Sequence, residues 1–184
     1  MLKSIELKNY RCFEQTKMNY RDLTVIVGSN NSGKSTIIEA LRIISSVVKK
    51  FKNTQYINPP FSLNLPVNRI GIKVSLNNSK IDLKGIVYFY NDSEAVITAI
   101  FDNNVRVIVT LNHEWVFANI YAADGQLVNS KSKARYTEIE NISIMPQLGL
   151  IKDEEKLLTS DTVKSDMETY LSSRHFRNEL LLLG

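Results

Sequence analysis

Gly28-Ser29-Asn30-Asn31-Ser32-Gly33-Lys34-Ser35 has the G-x-x-x-x-G-K-[ST] spacing of a phosphate-binding loop, with Thr36 directly after it. Each residue type has a task in that chemistry. Glycine lets the backbone curl close to an anion where a Cβ would interfere. The N–H groups of the loop, Asn30, Asn31, Ser32 and Gly33 among them, then face phosphate oxygens together with the positive end of the next helix. Lys34 is spaced to reach the β- and γ-phosphates, and the Ser35 hydroxyl to take a position on Mg²⁺. The competing reading is a Gly-Ser-Asn turn that happens to precede a helix.

Such a loop works only at a strand-to-helix junction. Leu23-Thr24-Val25-Ile26-Val27 is apolar and β-branched, which predicts a short buried strand. Behind the loop, Ile37, Ile38, Ala40, Leu41, Ile43, Ile44, Val47 and Val48 recur at helical spacing from about Lys34. That helix ends in Lys49-Lys50-Phe51-Lys52, where cations complement the dipole and need no ligand to explain them.

The whole chain has 184 residues, enough for one sizeable core, and 43% hydrophobic with 23% charged residues is ordinary globular composition. No apolar run approaches a membrane span, and the alternating start Met1-Leu2-Lys3-Ser4-Ile5 is unlike a signal peptide. Cys12 is the single cysteine, so an intrachain disulfide is impossible; a cytoplasmic location is expected. The net charge of +4 permits a nucleic-acid partner without requiring one.

Ser4 to Tyr10 predicts a strand with Ile5, Leu7 and Asn9 on one face and Glu6, Lys8 and Tyr10 on the other. Arg11-Cys12-Phe13 and a polar segment lead to Asp22. Residues 53–66, with Pro59, Pro60 and Pro66, predict a long surface loop. Strands are then predicted at Ile70–Leu76, Ile81–Tyr90, Ala95–Phe101, Val105–Leu111 and Trp115–Tyr121, with turns at Asp102-Asn103-Asn104 and Asp124-Gly125. This spacing argues an antiparallel meander that packs on the first strands and the helix. Asn129 to Tyr136, with Lys131, Lys133 and Arg135, reads as a solvated hairpin end or a basic loop for a phosphate backbone. A further strand is expected at Ile139–Met145 and a capped helix from Thr159-Ser160-Asp161, running to Leu180-Leu181-Leu182-Leu183. That leucine run has no evident partner and predicts continuation into a further portion.

The acidic strand of a complete phosphate-loop hydrolase is missing from the pattern. Ile100-Phe101-Asp102 looks like a turn, Asp153-Glu154-Glu155 like a solvated helix start, and no Asn-Lys-x-Asp guanine-reading motif occurs. His113 and His175 fit no metal spacing, and Trp115 with Val116 and Phe117 is expected in the core.

Two stretches carry a family resemblance: Ile5-Glu6-Leu7-Lys8-Asn9-Tyr10-Arg11-Cys12-Phe13, and Leu23 through the loop to Leu41. Together they resemble the start of RecF-type and structural-maintenance-of-chromosomes ATPases with ABC-type heads, relatives of OLD-family and antiphage defence ATPases. The resemblance is specific over about the first 45 residues and then rests on the order of elements. It implies an α/β P-loop NTPase fold: the N-terminal lobe of an ABC-type ATPase head with an antiparallel β meander and a C-terminal helix. One lobe over residues 1–184 is expected, with strands, loop and helix in 1–52, a β-rich part in 67–145 and a helical extension in 160–183.

The resemblance also implies ATP and Mg²⁺ as ligands, with Lys34 the catalytic side chain. Arg11 would line the nucleotide, and Gln147, after Ile142-Ser143-Ile144-Met145-Pro146, would reach Mg²⁺ and the γ-phosphate with Ser35. DNA and a second head, closing as a homodimer over nucleotide, are the implied partners. The signature segment and acidic strand of the family lie in its C-terminal half, so ATP binding without efficient hydrolysis is expected here. Two other readings stay open: a non-catalytic nucleotide-sensing module, and a small P-loop kinase.

Overall fold

The computed structural model describes residues 1–76, 81–90, 93–144 and 159. The chain divides into two compact units, Met1–Ser75 with Asp82–Ile142, and Leu76–Ile81 with Ser143–Gly184. Every element below lies in the first.

Strands β1 (Leu2–Tyr10) and β2 (Phe13–Asn19) form a hairpin, followed by helix α1 (Lys34–Lys50) and the short β3 (Tyr56–Ile57) and β4 (Gly71–Lys73). Then come β5 (Ala95–Phe101), β6 (Arg106–Leu111), β7 (Val116–Tyr121), β8 (Leu127–Val128) and helix α2 (Lys131–Tyr136). All pairs are antiparallel, in the order β2-β1-β5-β6-β7-β4-β3, with β8 sharing β7's outer edge. The meander β5-β6-β7 forms as its turn residues predict.

Register aligns the apolar positions across strands. Ile5 faces Ala99, which faces Val107, which faces Ile120; Leu7 faces Ile97, Val109 and Ala118 in the same way. All of these are buried, and so are Ile37, Ala40, Ile43, Ile44, Val47 and Val48 along α1. A sheet with one apolar face and a helix with one apolar stripe form the core together. On the other face, Asn119 donates its side-chain amide to Arg69 O at 3.0 Å and Ile70 O at 3.1 Å, and Asn112 donates to Ser62 O. These bonds lay the proline-rich loop over the β7 end of the sheet.

Several expectations are corrected. Leu23–Val27 is neither paired nor buried: Leu23 is 82% exposed, Val25 73% and Val27 84%. β-branched composition supplies propensity, but a strand needs a ladder partner, and no described segment offers one. Most of the polar segment after Arg11 is β2, an edge strand that hides only every second or third side chain. Tyr10 lies on the core side rather than with Glu6 and Lys8, because Asn9 has φ 56° and turns the chain. Ile81–Tyr90 is no strand; it bends, makes a single bridge from Val87 to Tyr10 and ends in a 3₁₀ turn. Within Ile70–Leu76 the strand is Gly71–Lys73, and Val74 N adds a bond to Val116 O at 2.9 Å. Residues 139–144 form no strand, and the Ser45 hydroxyl on α1 donates to Ile142 O at 2.6 Å. The basic stretch 131–136 is helix α2, capped by the Ser130 hydroxyl accepting from Lys133 N. Trp115 is half-buried, with the Lys73 ammonium 4.2 Å over its ring.

The Met1 amine lies 3.3 Å from Asp102 Oδ2 and pairs with Glu140. Its bond to Glu140, with Asp102 adding attraction, raises its pKa above the ordinary 8.0. A raised native pKa gives stability that is complete below pH 8 and is lost as the pH climbs through the native value. The thermal midpoint is therefore expected to fall slightly above pH 8, and an N-acetylated chain to lack that step; identical melting–pH curves for the two would refute the role.

Candidate phosphate-binding site

The loop leads straight into α1, whose N-cap Gly33 has φ 90° and ψ 6°. No side chain caps this end and no acid stands in its first turn. The N–H groups of that turn therefore keep their free direction, and the helix dipole adds positive potential there. Asn31, at φ 62°, is a second left-handed residue two positions earlier. Alternation of such residues turns consecutive amides towards one concavity, the arrangement that suits an anion. Residues 28–32 are exposed, so the loop is open to solvent.

Lys34 folds back into its own loop. Its ammonium donates to Gly28 O at 2.8 Å, Ser29 O at 2.6 Å and Ser32 Oγ at 3.4 Å. All three acceptors belong to the loop, so the positive charge is kept at the place where phosphate would lie. Ser35 is exposed at the second position of α1, and Thr36 is half-buried with its hydroxyl 3.8 Å from Cys12 Sγ.

The residues present fit a nucleotide polyphosphate: an uncapped helix start, two left-handed loop residues and an ammonium held only by loop acceptors. They fit Mg²⁺ more narrowly. Among the described residues no group of three or more His, Cys, Asp or Glu could hold a metal. Among the described residues, the Ser35 hydroxyl is the group that the sequence reading would place on the cation, with phosphate oxygens and water available as further ligands. Gln147 lies outside the described residues, as do Asp153-Glu154-Glu155, His175 and the helix expected from Thr159.

Arg11 is brought to the site, but through partners that its sequence position did not reveal. It occupies the β1–β2 turn at φ 53°. Its Nε donates to Glu39 Oε1 at 2.9 Å and its Nη2 to Glu39 Oε2 at 3.1 Å, a two-pronged ion pair with α1. Nη2 also donates to Asp82 O at 2.8 Å, and the Arg11 backbone N–H donates to Ile86 O at 2.8 Å. The Tyr10 hydroxyl donates to the same Glu39 Oε1 at 2.6 Å. Burial, with the Glu39 charge beside it, pushes the Tyr10 hydroxyl far above its usual range, so it remains a donor. Burial alone would lower the Arg11 pKa, but the Glu39 pair outweighs it and the guanidinium stays charged.

The same turn closes one side of the loop. A Cβ placed on Gly33 would stand 2.4 Å from Phe13 Cζ and 3.0 Å from Cys12 Sγ. Gly33 is thus required twice, by its left-handed φ and by the ring packed against it. Glu39, Tyr10, Cys12 and Phe13 were not nominated from sequence. Their signal is tertiary, since Arg11 and Glu39 are 28 residues apart.

Comparison with known proteins agrees with this geometry. A family model described as AAA ATPase domain matches residues 1–182. The chain is 43% identical over 44 residues to an OLD nuclease of Thermus scotoductus, covering 24% of this chain and 8% of that protein. It is 34% identical over 85 residues to the chromosome partition protein Smc of Lactiplantibacillus plantarum, covering 42% of this chain and 7% of that one. An ATP/GTP phosphatase of Helicobacter pylori is 43% identical over 42 residues, 22% of this chain and 11% of the relative. The chain thus spans only about a tenth of these curated relatives' length. A phosphate loop opening an uncapped helix, on an antiparallel sheet and within a match over nearly every residue, places the chain in the AAA ATPase domain family, in its RecF/SMC/OLD-like branch.

Proposed function

We propose that this chain binds ATP with Mg²⁺ in the loop 28–35, and serves as the nucleotide-binding lobe of an ATPase that works on DNA in maintenance, repair or antiphage defence. The observation that carries the reading is Lys34 held by its own loop at an uncapped helix start. On binding, Lys34 exchanges Gly28 O and Ser29 O for phosphate oxygens, a trade of neutral acceptors for charged ones. Amides of residues 30–36 orient the β-phosphate, and the Ser35 hydroxyl takes one position on the cation. Bound Mg²⁺ supplies charge neutralisation across the β- and γ-phosphates. The names of the OLD nuclease and the Smc protein support the DNA assignment, and the charge of +4 is compatible with it. Closure of two such heads over nucleotide would couple ATP to a DNA-engaging surface, and the coupling would be reciprocal.

The sequence pattern offers no acidic strand end of the kind that holds Mg²⁺ and orients water, and that supports binding over turnover in this chain. The test is equilibrium binding of a fluorescent ATP analogue with Mg²⁺, followed by steady-state phosphate release with and without duplex DNA. Saturable binding with negligible release is expected. Robust turnover by the chain alone would remove the binding-lobe reading, and absence of binding would remove the whole proposal.

A further inference from the structure

We propose that Glu39 is a positioning residue for the phosphate loop: its carboxylate locks Arg11 and Tyr10, and so sets the β1–β2 turn against the loop's helical end. The inference rests on the nucleotide-binding reading and adds to it a residue outside the loop motif. Glu39 lies five residues beyond Lys34, on α1. Both its oxygens are engaged from the turn, Oε1 by Tyr10 and Arg11 Nε, Oε2 by Arg11 Nη2. Three charge-assisted bonds converge on one half-buried carboxylate. From the same turn, Phe13 and Cys12 occupy the space where a Gly33 Cβ would lie, and Cys12 Sγ reaches the Thr36 hydroxyl. Shifting the turn therefore moves the wall against which Gly33 takes its left-handed conformation.

Arg11 also fastens a second segment. Its Nη2 and backbone N–H hold Asp82 O and Ile86 O, and Val87 bridges to Tyr10. One guanidinium thus joins the helix after the loop, the hairpin turn beside it and the stretch 82–87. Neutralising Glu39 removes the charge that holds this junction but none of the groups spaced to reach phosphate. The alternative assignment makes Arg11 a direct nucleotide contact that Glu39 merely competes for. It predicts the opposite sign, since freeing Arg11 would then tighten binding.

The experiment uses Glu39→Gln, Arg11→Gln and the double variant, each with a fluorescent ATP analogue and Mg²⁺. The lock requires each single variant to bind about tenfold more weakly, and the double no worse than either single. Alkylation of Cys12, the single cysteine, gives a readout that does not need nucleotide. Cys12 is exposed and its Sγ lies 3.8 Å from the Thr36 hydroxyl, so moving the turn should change its alkylation rate measurably in Glu39→Gln without ATP analogue, with α1 and the sheet intact by circular dichroism. Unchanged or tighter binding by Glu39→Gln overturns the proposal, and so does a wild-type alkylation rate. If the wild-type protein binds no nucleotide, the functional reading fails alone, while Cys12 reactivity still decides whether the lock exists.

Discussion

Lys34→Ala should lower the affinity for Mg-ATP by about a hundredfold and leave the melting temperature nearly unchanged. Among the described residues, the Lys34 ammonium bonds to Gly28 O, Ser29 O and Ser32 Oγ, all within its own loop. It joins no part of the sheet or core, so the fold has little to lose with it. The nucleotide, by contrast, would lose the cation that the loop itself supplies. Hydrogen bonds to a charged group contribute roughly 1.5–3 kcal/mol, and each 1.4 kcal/mol is a factor of about ten. Two such bonds to phosphate give the expected hundredfold loss. Titration calorimetry with and without Mg²⁺, beside a thermal scan, separates the two quantities. Wild-type affinity in this variant would overturn the nucleotide assignment, because no other described side chain of the loop carries charge.

Gly71→Ala is expected to damage the fold severely. A Cβ there would stand 2.3 Å from Ala118 O, 2.8 Å from Asn119 Nδ2 and 2.9 Å from Phe117 Cζ. The first of these is backbone, which cannot rotate away. Relief requires β4 to move off β7, breaking the Ile72–Ala118 and Lys73–Phe117 pairing and the bonds from Asn119 to Arg69 O and Ile70 O. Overpacking costs about 1–3 kcal/mol and each lost hydrogen bond about 1 kcal/mol more, so about 4 kcal/mol is expected. For a domain of this size that is a fall of roughly 8–16 °C in melting temperature. Gly125→Ala is the control: Gly125 has φ 81° and nothing within 4 Å of its Cβ position, so only backbone strain of about 1 kcal/mol applies. Equal shifts in the two variants would show that space at β4 is not the cause.

The sequence made legible what depends on local rules. The loop, the span of α1 and the meander β5-β6-β7 follow from fixed spacing, a 3.6-residue period and Asn/Asp/Gly turns, none of which needs a distant partner. It concealed what depends on neighbours. Strand β2 is an edge whose burial follows no clean alternation, so Phe13–Asn19 looks merely polar. Helix α2 is six residues with one buried side chain, and only the Ser130 cap marks it. The site divides in the same way. The residues proposed to face phosphate form one contiguous motif, whereas the wall behind Gly33 comes from the β1–β2 turn. Arg11 was singled out by resemblance as a nucleotide residue; the geometry gives it Glu39 as partner, a pairing that sequence separation hides.

The exposed stretch Leu23–Val27 also bears on how this polypeptide behaves in a tube. It is five residues without charge, proline or glycine, three of them β-branched aliphatics, and its backbone amides and carbonyls pair with no described strand. Such a window is a template for intermolecular cross-β contact. Exposure of this stretch is expected to lower the colloidal stability of the purified chain without opening the core of the sheet. A lysine at Val25, pointing into solvent with the wild-type valine, would act as a gatekeeper and raise solubility without touching a core side chain.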